Sequence, residues 1–314
     1  MARASEITGV VAVLVTPFDD GEEIVHDDIA RQVEAAVAFG ISGICLPAYA
    51  SEFYKLSHAE RLDVVRTAVE ASKGRIPVVG QSNHPSVRQA ADMARRNADS
   101  GVDLISFALP RQFGTSEEDL LAYCQTICRA VNLPVLIQDF NPGGATVGPD
   151  FCRRLHDACP NFRYIKLEEP LLGPKLRAIR GATEDRVAVF EGWGGMYLPE
   201  LFSSGVAGVM PGLGHADGMK RIWDLGSAGD IEGALDVFDD LLAQIAFSLQ
   251  NLEFYLSMEK QLLAARGIIR HTRVRGLTLT PDGEAAAHAA RLNERVLRLI
   301  ERLGFKRRTL RGEA

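Results

Sequence analysis

The chain has 314 residues, 46% of them hydrophobic and 24% charged, which is enough apolar content to bury a large core and excludes a disordered chain. The formal net charge of −6 gives no basis for a nucleic-acid partner. The sequence has no apolar run of 18 residues, and its opening segment MARASEITGV has no apolar core of signal-peptide length, so we expect a cytoplasmic protein without membrane association.

Short β-branched runs alternate with amphipathic segments over most of the chain, a rhythm that is typical of successive βα units and a parallel sheet. The predicted strands are VVAVLVT (10–16), GICLPA (43–48), IPVVGQS (76–82), DLISFAL (103–109), PVLIQDF (134–140), RYIKLEE (163–169), VAVFEG (187–192) and GVAGVMPG (205–212). Eight strands, each followed by a helix over about 225 residues, predict a (β/α)8 TIM barrel. An open, doubly wound sheet is the alternative.

The segments between the strands have helical periodicity and polar N-terminal residues, as in SHAERLDVVRTAVEAS and SEEDLLAYCQTICRAV. Beyond residue 226 the strand signals stop, and three helices are predicted at about 230–250, 253–267 and 283–304. The sequence therefore predicts a barrel over residues 1–226 that carries the active site. Residues 227–314 are predicted to form a C-terminal helical region packed on the barrel or on a neighbouring subunit.

A lysine lies in the middle of the sixth predicted strand, in the apolar run FRYIKLEEP. Because side chains alternate along a strand, Ile165 and Leu167 facing the helices would place Tyr164, Lys166 and Glu168 inside the barrel. Glu168 would then lie nearer the C-terminal end of the barrel, where active sites of this fold assemble.

Two explanations of the buried lysine remain open at this point. Desolvation or a cationic neighbour lowers the pKa of a lysine, and the neutral amine can then attack a carbonyl and form an imine. Such an imine is an electron sink for the adjacent carbon. The structural alternative is a Lys166–Glu168 ion pair that simply fills the barrel interior.

Several motifs together resemble the dihydrodipicolinate synthase and N-acetylneuraminate lyase superfamily of class I pyruvate-type lyases. The matching segments are GVVAVLVTPFDDG, SEFYKLSHAER, FNP, YIK, GWGG and GVAGVMPG. The resemblance covers nearly the whole chain. It implies that Lys166 forms the imine with a 2-oxo acid, that no metal or organic cofactor takes part, and that the protein is a homo-oligomer, either a dimer or a tetramer.

The chain departs from the family pattern at its expected proton relay. The family tyrosine that ends strand five is Phe140 here, which has no hydroxyl and cannot act as an acid or base. The family's Gly-Thr-Thr-Gly-Glu loop is AYASE (48–52), and the arginine after the Asn-Pro turn is replaced by GGAT (143–146). This last difference argues against aspartate semialdehyde as substrate. The tyrosine usual after strand four is also missing, where Arg111 and Gln112 offer other polar groups.

Two segments, IQDFNP and IKLEE, look more like the branch of 2-keto-3-deoxy sugar acid dehydratases, in which a Gln-Asp pair precedes the aromatic residue and a glutamate follows the lysine. We therefore predict Lys166 and Glu168 as the catalytic residues. The predicted substrate-binding residues are Tyr49, Ser51, His84, Gln138, Phe140, Gly192 and Gly194. Asp139 and Glu191 are further candidates for the proton relay, since they also lie at strand ends.

Each of these residues also has a structural explanation. Glu168 can be a partner for Lys166, His84 can cap or cover a loop, and Tyr49 can pack against Phe140. The glycine loops EGWGG and PGLGH can cradle a phosphate, or they can allow close strand–helix packing.

Three function classes follow from these observations. The first is a Schiff-base lyase or hydro-lyase that acts on a 2-keto-3-deoxy sugar acid as a dehydratase or an aldolase. The second is a non-catalytic relative that binds a 2-oxo acid without turnover, since fold kinship does not guarantee activity. The third, a metal-dependent hydrolase, is disfavoured because the seven histidines show no HxH or HxxxH pairing.

Overall fold

The computed structural model describes residues 7–111, 115–142 and 144–305, and within these ranges the chain forms eight strands and eleven α-helices. The strands are β1 Gly9–Val13, β2 Gly43–Leu46, β3 Val78–Gln81, β4 Leu104–Ala108, β5 Val135–Asp139, β6 Phe162–Leu167, β7 Ala188–Glu191 and β8 Gly208–Val209. The helices are α1 His26–Phe39, α2 His58–Ser72, α3 Val87–Asp99, α4 Glu117–Cys128, α5 Pro149–Ala158, α6 Leu172–Ala182, α7 Leu198–Leu201, α8 Ala216–Ser227, α9 Ile231–Ser248, α10 Leu252–Ala265 and α11 Gly283–Arg302. Gln112 and Gly143, which figure in the sequence predictions, lie outside the described residues.

The eight strands are parallel and form a closed barrel in the order β1 to β8, with β1 pairing with β8. This confirms the predicted (β/α)8 fold and all eight predicted strands, and it excludes the open sheet. The observed strands are shorter than the predicted ones. The largest difference is β8, which spans only Gly208–Val209, although Ala207 and Met210 on either side also donate backbone hydrogen bonds to β7.

Side chains of the strands alternate between the barrel interior and the surrounding helices. Ile165 and Leu167 belong to the apolar shell between strands and helices, whereas Tyr164 packs inside the barrel against Phe190, with ring centroids 5.9 Å apart. The backbone N–H of Ile7 donates to the Tyr164 hydroxyl at 3.1 Å. The predicted alternation of strand six is therefore confirmed, and these large rings fill the barrel below Lys166.

The helices begin as their sequences predict. Ser57 Oγ accepts the backbone N–H of Glu60 at 3.2 Å, and the Glu60 carboxylate accepts the N–H of Ser57, which is a capping box at the start of α2. Ser116 and Asp119 form the same arrangement at α4. These caps satisfy backbone donors that a helix start leaves unpaired.

The three predicted C-terminal helices are present as α9, α10 and α11. Helix α9 packs on α8 and on α11, whereas α10 contacts two 3-10 turns at the mouth of the barrel, Tyr49–Ser51 and Leu213–His215. Thus α10 covers the C-terminal ends of β2 and β8. No helix among the described residues is both long and apolar enough to cross a bilayer.

A fully buried ion pair links α10 to the turn after β2. Lys260 Nζ donates to Glu52 Oε1 at 2.6 Å, and both side chains have no exposed surface. Glu52 Oε2 also accepts the backbone N–H of Arg275 at 3.0 Å, and Lys260 Nζ lies 4.6 Å from the centre of the Phe18 ring. Burial lowers the pKa of Lys260 to about 8 in spite of the carboxylate beside it.

Lys260→Met is expected to lower the free energy of unfolding by about 3–5 kcal/mol, because it leaves the Glu52 carboxylate buried without its closest cation. Chemical denaturation measures this change. The matched control is Lys220→Met, which removes a lysine from an exposed pair with Asp224 one helical turn away. The control should cost less than about 1 kcal/mol. Similar losses in the two variants would contradict a structural role for the buried pair.

Candidate active site

An open cavity of about 350 Å³ lies at the C-terminal end of the barrel. Active sites of this fold form at the same end. Most of the predicted site residues line it, and they come from the ends of four strands: Tyr49, Gln138, Phe140, Lys166, Glu168, Gly192 and Gly194. The structure thus brings seven of the nine predicted site residues together around one cavity, whereas Ser51 and His84 do not line it.

Lys166 and Glu168 form the polar centre of the cavity. Lys166 Nζ lies 2.7 Å from Glu168 Oε1, and each side chain is only 6% exposed. Gln138 Nε2 donates to the same oxygen at 2.7 Å, which fixes the carboxylate beside the amine. A carboxylate in this position is placed to take a proton from the amine and to return it to a nearby atom.

Gly192 leaves room for the side chains of Lys166 and Glu168. A methyl group on Gly192 would lie 2.6 Å from Lys166 Cε and 2.5 Å from Glu168 Cγ, which is far inside van der Waals contact. A larger residue at position 192 would therefore displace both functional groups. The glycine that opens the GWGG motif is required here by close packing against the site.

Glu191 shapes the loop that follows β7. Its carboxylate is buried and accepts the backbone N–H of Trp193 at 2.9 Å and of Gly195 at 2.8 Å. Burial raises the pKa of Glu191 to about 7, although these two hydrogen bonds oppose the shift. Glu191 does not line the cavity, so its observed contacts hold the loop in place.

Glu259 of α10 is a second buried carboxyl near the cavity. It accepts the backbone N–H of Gly214 at 2.7 Å, and burial raises its pKa to about 7. Between pH 4.5 and pH 7 the folded protein therefore retains a proton that the unfolded chain has released. The contribution of this group to stability is present below pH 4.5 and is lost as the pH rises through 7.

Glu259→Gln is expected to reduce the fall in unfolding free energy between pH 5 and pH 8, by up to about 3 kcal/mol, because glutamine cannot ionise. The measurement is urea denaturation of wild type and variant across that range. Glu70→Gln changes an exposed carboxyl and provides the control. Parallel profiles for wild type and Glu259→Gln would show that Glu259 is not the group responsible.

An aromatic wall borders the cavity on the side of β5. The Phe140 ring stacks on Trp193 at a centroid distance of 5.8 Å and packs against Tyr49 at 5.5 Å. Burial raises the pKa of Tyr49, with the negative charge of Glu168 as a second cause. Tyr49 therefore remains a protonated hydroxyl, and it both packs on Phe140 and lines the cavity.

Ser51 holds the turn after β2 and does not line the cavity. Its Oγ donates to the carbonyl of Leu14 at 2.5 Å and accepts the backbone N–H of Ala48 at 2.9 Å. The residues of this turn that line the cavity are Tyr49 and Ala50. Their N–H groups are at the start of a 3-10 turn, where amides have no partner within the turn.

His84 is not brought to the cavity. Asn83 takes the inward position after β3, where its Nδ2 donates to Gln81 and its Oδ1 accepts the N–H of Ala108, both at 2.6 Å. The next side chain therefore points away from the barrel interior. The ring of His84 packs on His58, and its Nδ1 accepts the backbone N–H of Ser86 at 2.9 Å.

Asp139, like His84, does not line the cavity. Its two carboxylate oxygens accept from Arg111 at 2.8 and 2.6 Å, and one of them also accepts the backbone N–H of Val147 at 2.7 Å. The Asp139 side chain is buried. The two polar residues at the end of β5 therefore have different contacts. Gln138 lines the cavity, whereas Asp139 binds the loop that follows β5.

The sequence predictions missed the residues that α10 and the segment before it contribute. Gln250, Asn251 and Tyr255 line the cavity, together with the apolar side chains of Leu249 and Leu252. One signal was present in the sequence. Tyr255, Glu259 and Lys260 lie on one buried face of α10, and polar groups on a buried helix face indicate a specific role.

Charge is sparse in the cavity. Among the described residues that line it, Lys166 is the only cation and Glu168 the only carboxylate. The described part of the chain also contains no cluster of three or more His, Cys, Asp or Glu side chains placed to hold a metal ion. A ligand would therefore meet one amine, one carboxylate, and neutral amide and hydroxyl groups.

Residues 6–292 match the dihydrodipicolinate synthetase family. The chain belongs to this family. It is 26% identical over 299 residues to the L-2-keto-3-deoxyarabonate dehydratase of Azospirillum brasilense, which covers 92% of this chain and 96% of that one. A 4-hydroxy-tetrahydrodipicolinate synthase from Bartonella quintana is 30% identical over 159 residues, about half of each chain. Members of the family are lyases and synthases, which supports an enzymatic role.

Solved structures of the family have the same fold. The dihydrodipicolinate synthase of Rhodopseudomonas palustris superposes with a TM-score of 0.86 at 23% identity, covering 92% of this chain and 97% of that one. A prophage protein of the family from E. coli K12, solved in complex with pyruvate, gives a TM-score of 0.84 at 20% identity, covering 96% and 100%. At these identities the likeness shows the barrel with its C-terminal helices.

Proposed function

We propose that the protein is a Schiff-base-forming lyase that acts on a 2-oxo acid, and that its activity is the dehydration of a 2-keto-3-deoxy sugar acid. The observation that carries the proposal is the 2.7 Å contact between Lys166 Nζ and Glu168 Oε1 at the wall of an open cavity at the C-terminal end of the barrel. The relative from Azospirillum, matched over nearly its whole length, supports the choice of substrate class.

In the first step the Lys166 amine attacks C2 of the 2-oxo acid. Glu168 takes a proton from the ammonium, so that the nitrogen lone pair becomes available. The C2 oxygen then leaves as water, and a positively charged imine remains between Nζ and C2. The substrate carboxylate would be bound by neutral donors, for which the backbone amides of Tyr49 and Ala50 are the candidates.

In the second step Glu168 removes a proton from C3. The C–H electrons form an enamine, which expels the C4 hydroxyl as water once that oxygen has gained a proton. Two further proton transfers convert the C5 alcohol carbon into a carbonyl, which is an aldehyde in a five-carbon substrate, and hydrolysis of the imine releases the product. These reaction steps need no metal and no organic cofactor.

The position of Glu168 favours dehydration over aldol cleavage. Cleavage requires a base at the C4 hydroxyl, whereas dehydration requires one at C3, the carbon next to C2. Since C2 becomes bonded to Nζ, and Glu168 Oε1 lies 2.7 Å from that nitrogen, the carboxylate is near C3. The aldolase remains the closest variant of the proposed function, because both reactions use the same imine.

A product assay tests the proposal. The protein is incubated with 2-keto-3-deoxypentonates and 2-keto-3-deoxyhexonates of each configuration, and the products are separated by mass and by retention. The expected product is one water lighter than the substrate: a semialdehyde from a pentonate and a dioxo acid with a C5 ketone from a hexonate. Pyruvate with a shorter aldehyde would identify an aldolase instead, and the absence of any product across the panel would contradict the proposal.

The alternative is a family member that binds a 2-oxo acid without turnover. Phe140 favours it, because the position that the family uses for a tyrosine has no hydroxyl here. The product assay separates the two functions when it is combined with a binding measurement. Saturable binding of a 2-oxo acid without any product would favour the alternative.

The resemblance also predicts a homodimer or homotetramer, which light scattering of the purified protein would measure.

A further inference from the structure

One wall of the cavity comes from α10 rather than from the barrel. Tyr255 lines the cavity next to the end of β8, and a methyl group on Gly212 would lie 2.2 Å from its hydroxyl oxygen. Lys166 and Glu168 come from the end of β6, and β7 separates β6 from β8. The Tyr255 hydroxyl therefore belongs to a different wall from the amine.

Tyr255 is buried beside Glu259 and keeps its hydroxyl proton. The same methyl group on Gly212 would lie 2.6 Å from Glu259 Oε1, so the two oxygens are within about 5 Å of each other, the sum of the two distances. Burial raises the pKa of Tyr255 well above its ordinary value, and the carboxylate of Glu259 raises it further. Tyr255 thus presents an O–H group that can donate and accept one hydrogen bond each.

Asn251 adds a donor at the start of the same helix. Its Oδ1 accepts the backbone N–H groups of Glu253 at 2.8 Å and Phe254 at 3.3 Å, which caps α10. The carbonyl end of the amide is therefore committed to the helix. The NH2 group is the end that remains for a molecule in the cavity.

The charges around the cavity limit the ligand further. Lys166 is the only cation among the described residues that line it, and the proposed reaction converts that amine into an imine. A second carboxylate on the substrate would find no cation on this wall. A charge that is left unpaired in a partly desolvated site is unfavourable.

We propose that the substrate is a monocarboxylic 2-oxo acid with a neutral, hydroxylated tail, and that Tyr255 and Asn251 bind the hydroxyl groups of this tail. The inference rests on the proposed function, because the position of the tail is set by the imine carbon at Lys166. It assigns substrate selection to α10, while the chemistry of the imine remains with β6.

Three 2-oxo acids of five carbons test this inference: 2-keto-3-deoxypentonate, 2-oxopentanoate without tail hydroxyls, and 2-oxoglutarate with a second carboxylate. Imine formation with each acid is measured as the mass added to the protein after borohydride reduction, over a range of acid concentrations. The half-saturating concentration should be lowest for the hydroxylated acid and highest for 2-oxoglutarate. The difference between the first two should be roughly tenfold or more, because a site built for a hydroxyl leaves its own polar groups unpaired without one.

Tyr255→Phe should raise the half-saturating concentration of the hydroxylated acid roughly tenfold and leave that of 2-oxopentanoate unchanged. Asn251→Ser, which keeps a helix-capping oxygen but removes the amide, should act in the same direction. Unchanged trapping of 2-oxopentanoate shows that each variant retains a folded site. Tyr164→Phe is the control, since it removes a hydroxyl that binds the Ile7 backbone rather than one that lines the cavity.

The results separate the two proposals. Equal half-saturating concentrations for the three acids, or a Tyr255→Phe variant that affects the hydroxylated acid and 2-oxopentanoate alike, would overturn the role of α10 while imine formation stands. No adduct with any acid would overturn the proposed function itself. A preference for 2-oxoglutarate would contradict the neutral tail.

Discussion

Lys166→Arg is expected to abolish turnover of the 2-oxo acid, with a loss of roughly 10⁴-fold or more in kcat. Arginine keeps a positive charge next to Glu168, so the ion pair that fills the barrel interior is conserved. Its guanidinium stays protonated, however, and provides no amine lone pair to attack a carbonyl. The measurement is the rate of product release at saturating substrate, together with the free energy of unfolding.

The matched control is Lys175→Arg. Lys175 lies close by in α6, contacts Glu169 at 2.7 Å and does not line the cavity. Its substitution should leave kcat within about twofold, because a partly exposed ion pair tolerates the exchange. Retained activity in Lys166→Arg would show that the lysine has only the structural role that the sequence left open.

Glu168→Gln is expected to lower kcat by roughly 10²–10⁴-fold, the range typical for the loss of a general acid or base. Glutamine keeps the shape of the side chain and can still accept the hydrogen bond from Gln138. It cannot take a proton from C3. The loss should therefore appear in kcat much more than in KM, and steady-state kinetics with the best substrate of the panel would measure both.

Glu169→Gln controls for this change, because Glu169 is adjacent in sequence but binds Lys175 and Thr146. It should leave kcat nearly unchanged. A Glu168→Gln variant with normal kcat would contradict the role of Glu168 as the base at C3. The hydroxyl of Tyr49 or of Tyr255 would then be the next candidate for the base, and its removal would be the next test.

The barrel could be predicted from the sequence because its determinants are local. Each strand is a short apolar run, each helix has its own polar start, and alternation alone placed Lys166 inside the barrel. The same local reasoning placed Glu168 beside it. Parallel pairing then brings Gln138 next to Lys166, since these residues are partners in the β5–β6 register.

The rest of the site depends on how distant segments dock, which no local pattern specifies. Tyr255 reaches the cavity only because α10 covers the barrel mouth, where the buried Glu52–Lys260 pair fixes it. His84 directly follows a strand end as expected, yet Asn83 takes the inward position and turns the histidine away. Ser51 is held by Leu14, a residue 37 positions earlier in the chain. Such contacts are decided by tertiary packing.

Reductive trapping tests the central claim most directly. The protein is mixed with a 2-oxo acid and borohydride, and the modified peptide is sequenced by mass spectrometry. A stable adduct of the reduced imine is expected on Lys166 in wild type, formed more slowly in Glu168→Gln, which lacks the base that deprotonates the amine, and absent in Lys166→Arg. An unmodified wild-type mass, or an adduct on another lysine that persists in Lys166→Arg, would contradict imine formation at Lys166.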